Sequence, residues 1–375
     1  VAQLDPIDLP VVTTRSPEHR DSSFGTAPLH FPRNLEFVVI SRLRPRLLTV
    51  LLTLLTLAGV TALSGCSDSS ASGSGSKITI GFSAWPGWFP WQVAQEQGLF
   101  AKNGVNVDLK YFENYTDSIN ALSSGAIDAN SQTLNDTLSS VSGGAKLSIV
   151  LVNDNSTGND KIIARDGITS VADLKGKKVA VEQGAVDHYL LLLALQSAKL
   201  TEKDIELVNL PTDAAAAAFA GGQVDAVAAF APFTSKALER PGSRAISSSA
   251  EFPGAIPDHL VTSQKLVKDQ PKDVQALVNT WFETLTWIKN NKDAAVKIMA
   301  KRGGVSDADY QSYDAGTTIF TRQQNLDAFT PGVTAQHLDF QANKIIDFIV
   351  GTGLAQQRPS LDGLFDDQFV KAAPQ

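Results

Sequence analysis

Ile119-Asn120-Ala121-Leu122-Ser123-Ser124-Gly125-Ala126-Ile127-Asp128-Ala129 has a counterpart 97 residues further on, Ala216-Ala217-Ala218-Phe219-Ala220-Gly221-Gly222-Gln223-Val224-Asp225-Ala226. Each copy reads as a helix end, a glycine able to take positive φ, and a short strand led by Ile or Val and then Asp-Ala. The same unit at two places predicts two lobes of like construction. Helix, glycine and strand are also common punctuation, so chance is the competing reading.

The flanking sequence favours two lobes. Strands are expected over 77–82, 105–111, 126–130, 147–152, 161–164, 178–181, 205–209 and 226–230. Helices are expected over 90–97, 115–124, 135–141, 171–174, 186–198 and 213–220. This alternation predicts βαβ units and mostly parallel sheets. The last third reads as helical: residues 275–290 place Leu277, Trp281, Leu285 and Ile288 on one face, and shorter helices follow near 294–300 and 336–349. Trp91, Trp281 and Trp287 read as core.

Residues 39–65 hold Arg42, Arg44 and Arg46, an apolar run from Leu47 to Ala62, and Leu63-Ser64-Gly65 before Cys66. A basic flank, an apolar stretch and then small residues are the layout of an export signal. The run of 16 residues falls short of the roughly 20 needed to span a bilayer. Leu-Ser-Gly-Cys resembles the lipobox of bacterial lipoproteins. That resemblance implies a lipid thioether on Cys66, cleavage before it, and a membrane contact made through the anchor. Cys66 is the single cysteine, so no internal disulfide forms. The Ser/Gly-rich residues 66–76 read as a flexible linker. Residues 1–38, with Pro6, Pro10, Pro17, Pro28 and Pro32, are expected to be a non-native or unstructured extension outside the fold.

From Cys66 onward there are 310 residues with 26 Lys/Arg against 34 Asp/Glu, enough chain for two α/β lobes. No Lys/Arg cluster follows the signal, which argues against nucleic acid as a partner. The negative balance also argues against peripheral binding to anionic lipid. No G-x-S-x-G, H-E-x-x-H, Walker A or G-x-G-x-x-G motif follows Cys66. His188, His259 and His337 are too scattered for a local metal motif. Neither catalysis nor a cofactor nor a metal is expected.

Gly81-Phe82-Ser83-Ala84-Trp85-Pro86-Gly87-Trp88-Phe89-Pro90-Trp91 is followed by Ala94-Gln95-Glu96-Gln97-Gly98-Leu99-Phe100 and by Gly104-Val105-Asn106-Val107. Later come the segment 170–180 (Ser170 to Ala180), the segment 220–226 and Asp258-His259-Leu260-Val261. In this order and spacing the motifs resemble the substrate-binding proteins of nitrate/taurine/sulfonate-type ABC importers, a group that includes binders of thiamine pyrimidine precursors. The resemblance runs from about Ile78 to Asp347. It implies a periplasmic-binding-protein type II fold: two α/β lobes, a ligand cleft and two crossover hinges. Residues 77–155 plus 250–375 would form lobe I and 156–249 lobe II. It further implies a monomer outside the cytoplasmic membrane that hands its solute to an ABC permease and its ATPase subunit. A ligand-sensing lipoprotein without a transporter, or an enzyme related to pyrimidine synthesis, are the alternatives.

Ligands of open α/β sheets bind beyond the C-terminal ends of strands, often at helix N-termini. On the strand reading this selects five loops, 83–88, 132–136, 153–160, 183–188 and 231–233, all of which match ligand-loop positions of the family. The candidate residues are Ser83, Trp85, Trp88, Thr133, Asn135, Asn155, Ser156, Asp187, His188, Pro232 and Asp258. Trp85 and Trp88 either stack on the ligand or pack on the lobe surface. Asp187 reads equally as an N-cap, His188 as a solvated or core residue, and Asp258 as a hinge contact or a ligand anchor. Asp136, Asp154 and Asp160 add negative charge, and Lys161 is the one basic side chain. This balance favours a neutral or cationic nitrogenous solute, such as a guanidine, an amine or a heterocycle, over the anions of the family.

Overall fold

In the computed structural model, which describes residues 77–374, the chain lays down two mixed sheets. The first starts with β1 (Ile78–Phe82), then α1 (Pro90–Glu96), α2 (Leu99–Lys102), β2 (Val107–Tyr111), α3 (Tyr115–Ser123), β3 (Ala129–Thr133), α4 (Leu134–Ser142) and β4 (Leu147–Ser156). Pro90 suits the first turn of α1, where its missing N–H is no loss. The Asn114 side chain caps α3 by accepting the Asp117 N–H.

The chain then crosses to the second sheet. There it forms β5 (Asp160–Ala164), β6 (Lys178–Val181), α5 (Val186–Ser197), β7 (Glu206–Asn209), α6 (Thr212–Ala220), β8 (Ala226–Phe230), α7 (Phe233–Leu238) and β9 (Arg244–Ser248). It returns through β10 (Pro257–Ser263) and α8 (Gln264–Asp269). The remainder is α9 (Pro271–Asn290), α10 (Lys292–Gly303), α11 (Asp307–Ser312), β11 (Thr317–Ile319), α12 (Arg322–Phe329), α13 (Leu338–Thr352) and α14 (Gln368–Ala372).

The strand orders are β2-β1-β3-β10-β4-β11 and β7-β6-β8-β5-β9. In each sheet the first three strands are parallel: β1 with β2 and β3, and β6 with β7 and β8. The expectation of mostly parallel sheets is corrected for the remainder. β10 runs antiparallel to β3 and β4, β11 to β4, and β5 to β8 and β9. β5 and β10 enter their sheets directly after the chain crosses between them, and β11 joins the edge after the helices of the C-terminal third.

The repeat occupies equivalent places in both sheets. Gly125 and Gly222 sit at φ +75° and +77°, ending α3 and α6. The next residues close the same helix-terminal bond, Ala126 N–H to the Ala121 carbonyl (2.8 Å) and Gln223 N–H to that of Ala218 (2.9 Å). Asp128 then donates its N–H to the Thr79 carbonyl (3.0 Å) and accepts the Thr79 N–H on Oδ2 (2.9 Å). Asp225 does the same with Lys178, at 2.9 and 3.0 Å. Each aspartate therefore clips the approach to the third strand onto the first. Because residues 126–128 are taken up by this turn, β3 spans Ala129–Thr133 rather than 126–130.

Helices cover both faces of the second sheet, so its inner strands are apolar on both sides. Ile162, Val179 and Val181 face one cluster, and Ile163, Ala180 and Val227 the other. The edge strands β2 and β7 are only partly covered. In lobe I, α9 begins at Pro271, earlier than expected, and buries Val274, Leu277, Val278 and Trp281. Leu285, Trp287 and Ile288 are half-buried against the same core. The Trp281 ring lies 4.7 Å from that of Trp91, both fully buried. Side chains of this size contribute roughly 1.5–3 kcal/mol each when removed from water.

The two crossing segments are tied together. Ser156 and Ser249 share a hydroxyl hydrogen bond of 2.7 Å, and Gly158 N–H donates to Ser249 Oγ at 2.8 Å. Among the described residues no helix is long and apolar enough to cross a membrane. The readings of residues 1–38, the signal over 39–65, Cys66 and the linker lie outside the described residues.

Candidate functional site

The C-terminal ends of β1, β3, β4, β6 and β8 meet where the two sheets face each other, and the loops after them enclose a chamber. Its walls are Trp85, Trp88, Thr133, Asp160, Val186, Phe230, Ile256 and Asp258. The empty space between these walls is ≈ 220 Å³, part of it open to solvent. The lobes are closed on one another, leaving room for about one water-sized body.

Aromatic rings make the closure. The turn after β1 is set by Trp88 N–H to the Trp85 carbonyl (3.0 Å) and by the Tyr310 hydroxyl, which donates to the Pro86 carbonyl (2.9 Å). Phe230, from lobe II, meets Trp85 and Tyr115 of lobe I edge-on at 6.3 and 6.1 Å. Trp88 lies 5.4 Å from Tyr115. The Trp85 indole N–H donates to Asp154 Oδ1 at 2.9 Å. Gly87 is required here: a Cβ at this position would stand 2.0 Å from Asp154 Oδ2.

Asp136, Asp154, Asp160, Asp187 and Asp258 are all buried around this region. Burial pushes the Asp136 carboxyl up to about 7, against the opposing hydrogen bond from Thr133. Burial raises Asp154 to about 8, opposed by the Trp85 N–H and reinforced by Asp160. Asp160 is raised to about 6 by burial, opposed by Ser156 and Lys161. Asp258 sits opposite Asp154 across the β10–β4 ladder. It is held well above the usual carboxylate range by burial and then by the charges of Asp154 and Asp160. Asp187 is raised by burial and then by Asp160 and Glu182. Among the described residues no Lys, Arg or His lines the chamber.

The candidate residues divide. Trp85, Trp88, Thr133 and Asp258 lie on the chamber wall. Thr133 donates its hydroxyl to Asp136 Oδ2 (2.8 Å), and Asn135 donates to Asp136 Oδ1 (2.8 Å), leaving Asn135 Oδ1 unpaired. Ser83 lines a neighbouring pocket with Tyr115, Glu182 and Phe230. Pro232 precedes α7 and is not a wall residue.

The structure narrows the readings of Asp187, His188, Asn155 and Ser156. Asp187 is not an N-cap: Ala185 holds that position, and the Asp187 carboxyl is buried in the first turn, where a hydrogen bond from the Phe230 backbone opposes the rise that burial causes. His188 is taken up inside lobe II, its Nδ1 accepting the Gly184 N–H (3.1 Å) and its Nε2 bonded to Glu202 (2.8 Å). Asn155 turns to a groove lined by Thr157, Thr318 and Gln336, because β4 runs on to Ser156 and its alternation carries Asn155 out of the chamber. Ser156 serves the hinge through Ser249. Phe230, Val186 and Ile256 are wall residues absent from the candidates: Phe230 ends the strand just before a selected loop, Val186 is an apolar residue within one, and Ile256 precedes the returning strand.

The chain belongs to the NMT1-like family. The family model matches residues 72–302, more than half of the sequence. The NMT1-like chain is 25% identical over 261 residues to the taurine-binding periplasmic protein of Escherichia coli, covering 67% of this chain and 81% of that one. A Brucella abortus protein named for binding is 26% identical over 260 residues, covering 68% and 80%. Among solved structures, the alkanesulfonate-binding protein of Xanthomonas axonopodis bound to MOPS superposes with a TM-score of 0.66 at 22% identity, covering 78% of this chain and 98% of that one. The fold is thus the periplasmic-binding-protein type II fold. A desulfurization enzyme shares it with a TM-score of 0.56, at 19% identity and covering 78% and 98%.

Proposed function

We propose that this chain is the solute-capturing component of an ABC importer, lipid-anchored through Cys66 outside the cytoplasmic membrane. A small solute enters between the lobes, bridges loops of both, and draws the hinge equilibrium to the closed form. The closed complex then docks on a permease, and a separate ATPase subunit drives release. The observation that carries this reading is the chamber itself. Five strand-end loops and the returning strand converge on one enclosed space, walled from both lobes by Trp85, Trp88 and Phe230.

The relatives named for binding taurine and sulfonates support capture and transport as the role. The fold alone does not choose between binding and catalysis, because the desulfurization enzyme has it too. The choice rests on the named binding relatives and on a chamber that closes over a very small volume. Native mass spectrometry of the chain purified from its own organism tests the reading. The expected result is one small molecule carried per chain and released unchanged on unfolding. A converted product, or a chain that carries nothing and takes up no solute from a panel, would contradict it.

A further inference from the structure

Resting on that reading, we infer that the captured solute is a small organic cation bearing several N–H donors, such as guanidinium, held with the lobes slightly further apart than in this closed form. The wall residue Asp160 is 1% exposed and keeps one carboxylate oxygen, Oδ2, with no hydrogen-bond partner. Asp258, also 1% exposed, shares a hydrogen bond with Asp154, carboxyl to carboxyl, which requires a proton that a cationic solute would replace. Buried acceptors of this kind are costly unless something donates to them. Among the described residues no cationic side chain lines the chamber, and Lys161 beside Asp160 stands outside its wall, so the solute supplies the remaining donors and charge. The Trp85 and Trp88 ring faces suit a planar cation. The Trp88 indole N–H is also buried without a partner, leaving a place for one acceptor atom.

An anion would suit the Trp88 N–H and nothing else here. It would stand among carboxylates that burial and mutual repulsion already hold near neutrality, and it would leave Asp160 Oδ2 unpaired. The raised Asp154 and Asp258 carboxyls describe the chamber without its counter-charge, and a cation would let them ionise.

Calorimetric titration of the full chain with guanidinium, urea, tetramethylammonium, taurine and nitrate tests the assignment. Guanidinium has charge and donors, urea has donors alone, and tetramethylammonium has charge alone. Guanidinium is expected to bind at least tenfold more tightly than the other four. Asp258→Asn and Asp160→Asn, isosteric and relieved of repulsion, are expected to stay folded and to weaken guanidinium binding tenfold or more each. Preferred binding of taurine, nitrate or urea would overturn the charge assignment while leaving solute capture standing. Guanidinium affinity unchanged in both variants would overturn the site. Heat from none of the five, in protein shown to be solute-free, would overturn both the assignment and the capture reading.

Discussion

At the residue scale the fold depends on paired aspartates, and the chamber on buried ones. Asp128 and Asp225 hold backbone amides across strands, each satisfying a donor that the short third strand leaves over. Replacing Asp128 by Ala removes a charge-assisted acceptor and is expected to cost about 1–2 kcal/mol in urea unfolding. Asp128→Asn keeps an acceptor and should cost less; equal stability of all three chains would show that the clip does not matter. The chamber aspartates have the opposite role. A unit charge about 4 Å from an ionised carboxylate interacts by about 4 kcal/mol at an effective dielectric near 20, for a cation and against an anion. On the inference above, that interaction favours a cation over an anion once the carboxyls ionise. The sequence showed the repeated Asp and the acidic loops. It did not show which acids face the chamber, because Asp187 looked like a cap and the partners of Asp154 and Asp258 are far apart in sequence.

At the element scale, strands and helices set by local pattern were legible, including β6 and β8 to the residue. The returning strand β10 was expected only as a crossing. It carries buried Asp258 and His259, so its local pattern lacks the apolar alternation that marks a strand, and it is held by neighbours more than 100 residues away. The β6–α5 loop also contributes a latch. Glu182 Oε1 accepts the Thr116 N–H (3.2 Å) and hydroxyl from α3 of lobe I. Its Oε2 accepts the Thr212 N–H (3.2 Å) and hydroxyl (2.7 Å) at the start of α6. The Thr116 contact joins lobe II to lobe I, so parting the lobes would break it. Glu182→Ala is therefore expected to speed solute dissociation about tenfold while changing association little, as read by stopped-flow Trp fluorescence. An unchanged dissociation rate would remove the latch from the closing mechanism.

At the scale of the whole molecule, buried acids tie stability to pH. Asp136 and Asp154 titrate at about 7 and about 8 in the fold, against about 3.9 in an unfolded chain. Their folded pKa values are raised, so between pH 6.5 and 8 the native state holds protons the unfolded state has released. Stability should fall as pH rises through that window. His259, held down to about 3 by burial, is neutral in the native state and largely so in the unfolded state above pH 6.5, and does not reverse the trend. The melting temperature of the solute-free chain is expected to drop from pH 6.5 to 8, and a bound cation to restore more at pH 8 than at pH 6.5. A flat profile would mean that the chamber acids are already compensated.

Closure on a small cation is most directly visible by small-angle X-ray scattering of the full chain, stripped of solute and then titrated with guanidinium. The expected result is a radius of gyration that falls on saturation, at the same concentrations that produce heat in calorimetry, and stays put with taurine. Binding heat with no change in radius, or contraction with taurine and not with guanidinium, would contradict the picture of two lobes folding over a positively charged solute.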